Sequence, residues 1–280
     1  MNSSDFEYLS RWLRERSGLT LTASKEYLIK SRLLPLAQSE GLADISALVA
    51  ELRRSSSTVL ATAVVEAMTT NESLFFRDKK PFDDLKETLI PEIIEARKTQ
   101  RRIRIWCAAC STGQEPYSLL MLLAENFPQL QSWQIDVVAT DLDTKALERA
   151  KSGLYSQMEV QRGLPIQLLL KHFRQVETNW QIAESLRKQV TWKQWNLLDS
   201  FAGLDQFDLI LCRNVLIYFD EDLKREIFQK LARCLRDHGP LILGSAETVI
   251  GLSSQFTRDL NCKSSVYRCE PQPGLLQTPL

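Results

Sequence analysis

The chain has 280 residues, 35 of them basic and 35 acidic, so its net formal charge is zero; 44% are hydrophobic and 25% charged. That balance fits one large or two smaller folded domains, and it argues against a nucleic-acid partner, since such binders carry a basic excess. No apolar run reaches the roughly 18 residues that a membrane span needs, so no membrane insertion is expected.

Residues 1–14 carry Asp5, Glu7 and Arg11 and lack an apolar signal core, so a cytoplasmic location is expected. In that reducing compartment Cys107, Cys110, Cys212, Cys234, Cys262 and Cys269 are expected to be free thiols. Residues 5–75 read as helices. Phe6, Leu9, Trp12 and Leu13 recur at helical spacing, and Ser17 with Gly18 ends that helix. Further helical stretches cover 25–36, 45–53 and 58–68, which makes 1–75 an all-α N-terminal domain. Residues 81–98 read as a helix interrupted or restarted at Pro91, so 76–98 forms a linker helix.

From Ile103 onward strands and helices alternate. Strands are expected at 103–107, 135–140, 190–194, 207–212, 240–244 and 266–269, with helices at 115–126, 144–152 and 222–235. This alternation predicts an α/β domain over 99–270, with a mostly parallel sheet covered on both faces. An irregular insert at about 155–188 has room for a short antiparallel excursion. Residues 271–280 hold three prolines and a glycine and read as a flexible tail.

Three constellations carry chemistry. In the first, the strand at 103–107 runs through Ala108, Ala109, Cys110, Ser111 and Thr112 to Gly113, then into a helix with Glu115 and Pro116 in its first turn. Small residues let a ligand approach the backbone, and proline suits a first helical turn. Gly113 also reads as an ordinary strand–helix turn. Asp141 ends the second strand, where ligands of open parallel sheets bind. It can accept from both hydroxyls of a ribose, or it can cap the helix opened by Asp143 and Thr144. The Gly-x-Gly-x-x-Gly loop that seats a pyrophosphate is absent, which favours S-adenosylmethionine over a dinucleotide.

The second constellation is the apolar strand 207–212, which ends in Arg213 and Asn214, with Tyr218 following. A buried arginine at a strand end meets a carboxylate, or else these two residues satisfy loop carbonyls. The third, Asn196 and Leu197 after the strand at 190–194, repeats the pattern more weakly. Cys107 and Cys110 have no second pair, and His172 and His238 lie far off in sequence, so no metal is expected. The cysteines read as small residues lining a pocket.

Segments 68–77, 108–118, 139–143, 152–155, 196–198 and 212–220 resemble, in order and spacing, the CheR-type chemotaxis receptor methyltransferases. The resemblance covers nearly the whole chain. It implies an all-α N-terminal domain, then a Rossmann-like S-adenosylmethionine methyltransferase domain with a small inserted β subdomain. It implies methyl transfer to glutamate side chains on chemoreceptor cytoplasmic helices, by a protein expected to be a monomer. Carried over by position, the cofactor contacts are Asn71, Ser73, Arg77, Glu115, Asp141, Asn196, Leu197, Arg213 and Asn214. Tyr218 lies beside the transferred methyl, and Arg97 is the candidate for an arginine near the acceptor.

Two departures stand out. The helix matching the family's basic docking helix keeps Lys30 and Arg32, but its later basic positions are gone and Pro35 should kink or stop it. The segment 173–180 is short and has no glycine, so tight binding of a receptor C-terminal pentapeptide is not expected. The alternatives are a cofactor-binding interaction module of the same fold, or a methyltransferase for a different acceptor.

Overall fold

A computed structural model describes residues 1–54 and 57–271. The N-terminal part folds as α1 (Ser3–Ser17), α2 (Glu26–Ser39), α3 (Ile45–Arg54) and α4 (Thr58–Met68). A capping box of Asn2 and Asp5 starts α1, and Gly18 ends it in the left-handed region at φ 76°. Leu9, Leu13, Ile29, Leu33, Leu48 and Val64 meet in its core. α2 does not stop at Pro35 but runs through it to Ser39. Pro35 is exposed, so water can satisfy the carbonyl that loses its intrahelical partner.

The linker after Met68 is extended, then enters α5 (Lys80–Asp84), a π-helical turn (Leu85–Leu89) and α6 (Ile90–Arg97). The π turn holds Glu87, the residue whose carbonyl the Pro91 ring would strike in a regular helix, so the interruption expected there takes this form. The hydrophobic cores divide between Met68 and Phe75: Met68 belongs to the helical core, Phe75 to the next one.

In the α/β part, β1 (Arg102–Ala108) leads through α7 (Gln114–Asn126) to β2 (Gln134–Asp141) and α8 (Thr144–Ser152). The insert follows. Its strands β3 (Leu154–Ser156), β4 (Phe173–Val176) and β5 (Asn179–Ile182) form a small antiparallel sheet in the order β3-β5-β4. Three short helices accompany it, α9 (Gln157–Gln161), α10 (Ile166–His172) and α11 (Glu184–Arg187). The main sheet resumes with β6 (Val190–Gln194) and β7 (Leu209–Cys212). After α12 (Glu221–Cys234) come β8 (Pro240–Leu243), β9 (Phe256–Arg258) and β10 (Val266–Cys269).

The main sheet has the order β6-β2-β1-β7-β8-β10-β9. Its first five strands are parallel, while β10 and β9 close one edge antiparallel. Strand side chains alternate between two cores: Ile103, Ile105 and Cys107 of β1 enter one, Trp106 and Ala108 the other. This double burial is why the strands read as continuous apolar runs. After β1 the chain builds one side of the sheet, and from β7 onward it builds the other. Between β1 and β7 lies the switch point, where a crevice opens at the carboxyl ends.

The expected tail begins at Pro271, and residues 272–280 lie outside the described residues. No described helix is long and apolar enough to cross a membrane.

Candidate active site

The carboxyl ends of β1, β2, β6 and β7 open into a cleft. The N-terminal helices and the linker form its other walls. Asn71, Ser73, Arg77, Glu115, Asp141, Asn196, Leu197, Arg213, Asn214 and Tyr218 all line it.

The loop after β1 is tightly bent, with Ala109 at φ 54°, Ser111 at 51° and Gly113 at 91°. A Cβ on Gly113 would lie 2.8 Å from that of Ala150 and 3.0 Å from the Trp192 ring, so this glycine serves both turn and packing. Asp141 holds the loop in place. Its Oδ2 accepts from the Ser111 N–H at 2.7 Å and its Oδ1 from the Asp143 N–H at 3.0 Å. The helix cap is Asp143, which accepts from the N–H groups of Lys145 and Ala146 at 2.9 and 3.1 Å. Asp141 is therefore not the cap, and each of its oxygens keeps acceptor capacity. Burial raises its pKa, against the opposing pull of the two backbone donors. Burial also pushes the Cys107 and Cys110 thiols well up, so both stay neutral.

Arg213 ties the linker to the sheet. It donates to Glu115 Oε2 at 2.7 Å, to Asp78 Oδ2 at 2.8 Å and to the Arg77 carbonyl at 2.9 Å. Its Nε is buried without a protein partner. Burial raises the pKa of Glu115, and Arg213 opposes that shift. The half-buried Arg77 guanidinium donates to the Glu72 carbonyl at 2.9 Å. Asn71 fixes the linker from both ends: its Nδ2 donates to Asp143 at 2.6 Å and its carbonyl accepts from Ser111 Oγ at 3.0 Å.

The helical domain is latched onto the same cleft. Asn196 Nδ2 donates to the Arg16 carbonyl at 2.7 Å, the Thr20 N–H donates to the Tyr218 carbonyl at 2.9 Å, and Arg14 pairs with Asp220 at 2.5 Å. The Asn196 side chain thus serves domain closure. Arg32 is likewise committed. It donates to the Met68 and Thr69 carbonyls at 2.7 and 2.8 Å and to Thr70 Oγ1 at 3.0 Å, which steadies the start of the linker. Lys30 pairs with Glu26 at 2.9 Å on the exposed face. Tyr218 lines the cleft, and its hydroxyl has no hydrogen-bond partner among the described residues.

Arg97 is the one expected site residue that lies elsewhere. It pairs at 2.5 Å with Asp208, just before the amino end of β7, where Arg236 approaches at 3.2 Å and the Arg104 N–H donates at 2.8 Å. The connection from α6 into the start of β1 is short, so the end of α6 must sit at the amino ends of the strands, opposite the cleft.

Sequence reasoning missed Glu247. Its carboxylate collects five backbone N–H groups, from Gly244 at 2.7 Å, Asn214 at 2.8 Å, Val215 at 2.9 Å, Leu216 at 2.7 Å and Ile217 at 3.3 Å. The available signal was an acidic residue just past the strand end at Gly244, the same pattern that singles out Asp141.

The parallel sheet switches direction beneath a cleft at the strand carboxyl ends, the place where open α/β sheets bind their ligands, and the family matches make that ligand S-adenosylmethionine. No described group of His, Cys, Asp or Glu could hold a metal ion. Residues 4–69 match the family model for the CheR methyltransferase all-alpha domain, and residues 71–264 match the one for its SAM binding domain. The chain belongs to the CheR family of chemotaxis protein-glutamate methyltransferases. It is 38% identical to chemotaxis protein methyltransferase 1 of Pseudomonas aeruginosa, over 96% of this chain and 98% of that one. It is 39% identical to the Cher2 chemotaxis methyltransferase of Pseudomonas putida, over 90% and 93% of the two chains. With the chemotaxis protein methyltransferase of Vibrio anguillarum the identity is 37%, over 96% and 95%.

Proposed function

We propose that this chain methylates glutamate side chains on chemoreceptor cytoplasmic helices, with Tyr218 as the residue that meets the acceptor. The observation that carries this reading is the free Tyr218 hydroxyl, which shares one cleft with Asp141, Glu115 and Arg77. The donor set fits S-adenosylmethionine: Asp141 retains acceptor capacity for a ribose, and the loop after β1 has the single glycine Gly113 in place of the Gly-x-Gly-x-x-Gly turn that seats a pyrophosphate. Bound there, S-adenosylmethionine would supply a sulfonium methyl for transfer to the acceptor oxygen, with its sulfur as the leaving group that takes the electron pair.

A glutamate carboxylate is ionised near neutral pH, so the protein needs no general base. Its task is alignment, which can contribute several kcal/mol. Asn71, Ser73, Glu115, Asp141, Leu197 and Asn214 shape the donor site, while Arg213 and Asn196 act by holding its walls. A strong cationic clamp would bind the acceptor's ground state as tightly as the transition state. One half-buried guanidinium, Arg77, and one phenol, Tyr218, avoid that. The protein acts as a monomer, which light scattering checks.

Tritium from labelled S-adenosylmethionine should appear as base-labile ester on receptor-rich membranes. A different protein acceptor is the second reading. It draws on α2, where Arg32 is turned inward and Lys30 is already paired, so that helix offers little free positive charge to an acidic receptor. Label on other proteins but not on receptors would favour it, and cofactor binding without any ester would favour an interaction module. The β4–β5 turn has Glu177 at φ 53° and no glycine, and we infer no tight pentapeptide binding there. Micromolar binding by calorimetry would overturn that inference.

A further inference from the structure

The loop that carries Arg213, Asn214 and Tyr218 has little to hold it by itself. β7 ends at Cys212, Asn214 sits in the left-handed region at φ 60°, and only a single 3-10 turn, Leu216–Tyr218, precedes α12. The backbone N–H groups of residues 214–217 all point at the Glu247 carboxylate. A concave run of N–H groups begun by a left-handed residue is an anion nest, and here a side chain of the same protein fills it. Glu247 is 7% exposed and forms no ion pair among the described residues. Burying a charge without a counter-ion is costly, and five backbone donors offset that cost. Gly244 makes the approach possible: a Cβ there would lie 2.7 Å from both Glu247 Oε2 and Asn214 Nδ2. Glu247 therefore bolts the turn after β8 to the loop after β7. It also lies close enough to the cleft for its charge to act on Glu115.

We propose that Glu247 is a positioning residue for methyl transfer: its carboxylate fixes the 214–218 loop, and so the Tyr218 hydroxyl, in the geometry the acceptor needs. The inference rests on the methyltransferase reading above. Glutamine at this position has nearly the same shape but offers one acceptor oxygen and turns an NH2 group toward backbone donors. The Glu247→Gln variant should fold, and its affinity for S-adenosylhomocysteine should fall by less than its kcat, because Asp141 and Glu115 are untouched and only Asn214 of the donor set lies on the loosened loop. Its kcat should fall roughly tenfold or more, since a misplaced contact costs alignment rather than binding. Amide exchange at residues 214–217 should accelerate in step.

If Glu247→Gln does not fold, Gly244→Ala displaces the same contact from the other side and should give the same pattern. Three results would overturn the proposal. One is a kcat loss below about fivefold per folded molecule. Another is a loss of cofactor affinity equal to the loss of kcat, which would mark a purely structural role. The third is unchanged protection of amides 214–217. Exchange and cofactor binding need no acceptor, so they report on Glu247 even if the acceptor is not a receptor glutamate.

Discussion

The sheet carries an arginine–carboxylate cluster at each end, built from the same chemistry and put to different use. At the carboxyl ends Arg213 bridges Glu115, Asp78 and the linker backbone, with its side chain 2% exposed. At the amino ends Arg97, Arg236 and the Arg104 backbone converge on Asp208. Both clusters bury a carboxylate, and both look functional on residue types alone. They differ in what surrounds them. The upper cluster sits among left-handed residues, a free phenol and a deep crevice. The lower one closes the bottom of a packed sheet, and Arg97 keeps 22% of its side chain in solvent. Which end of the strands a cluster occupies decides its role, because the parallel strands open their crevice only at the carboxyl end.

Removing the central arginine tests the upper cluster most severely. Arg213→Ala leaves Glu115 buried beside an unfilled space and frees the linker from the sheet. Breaking a buried pair of this kind costs about 3–5 kcal/mol. The expected result is a thermal midpoint well below the parent and, in whatever folds, a methyl-transfer rate lower by about 100-fold or more. A variant that melts like the parent and binds cofactor normally would dissolve the contrast between the two ends.

Tyr218→Phe sharpens the contrast, since it changes one atom and no packing. Its hydroxyl holds no protein group, so stability should stay within about 0.5 kcal/mol of the parent. Cofactor affinity should hold within about threefold while kcat drops roughly tenfold. A fall in cofactor affinity instead would place the phenol on the donor side of the cleft.

The effect of acid is smaller and has an unusual sign. Burial raises Asp141 above its ordinary 3.8 and Glu115 above its ordinary 4.5. A carboxylate that holds its proton more tightly when folded subtracts stability once ionised, and that penalty is relieved as pH falls through the raised value toward the ordinary one. Asp220 and Glu125 behave oppositely. Their partners Arg14 and Lys171 lower them, so their contribution is present above the ordinary value and is lost as pH falls through the lowered one. Cofactor binding should therefore weaken before the fold does. Calorimetry with S-adenosylhomocysteine should show affinity falling as pH drops from neutral through the raised carboxylate range, and Asp141→Asn should flatten the profile at a lower affinity. An affinity that is flat with pH in the parent would remove Asp141 and Glu115 from the binding step.

Much of the fold was legible because its signals are local. Gly18 stops α1, Asp143 caps α8, and the central strands β7 and β8 are buried and apolar on both faces. The segments that escaped are short or depend on tertiary context. β9 has three residues with one buried side chain, and the strands of the insert are hardly longer. Pro35 does not end its helix: that turn is exposed, so the carbonyl left without an intrahelical donor is open to water. Ten of the eleven expected site residues line the cleft: Asp141, Arg213 and Asn214 are legible from their strand ends, whereas Asn71, Ser73 and Arg77 on the linker are implied only by the family resemblance. Glu247 was missed because it works entirely through backbone N–H groups, which leave no pattern of partner side chains to find.

Arg97, the candidate for the arginine that the family resemblance implies near the acceptor, carries the smallest expected effect. Asp208 keeps Arg236 and the Arg104 N–H when Arg97 is removed, and partial exposure screens what is lost. Arg97→Met preserves the aliphatic packing and should cost about 1 kcal/mol, read as a modest drop in the thermal midpoint. Its kcat, its acceptor KM and its cofactor affinity should all stay within about twofold of the parent. A loss of kcat without a loss of stability would mean that the amino end of the sheet takes part in the reaction, and the division between the two clusters would fall.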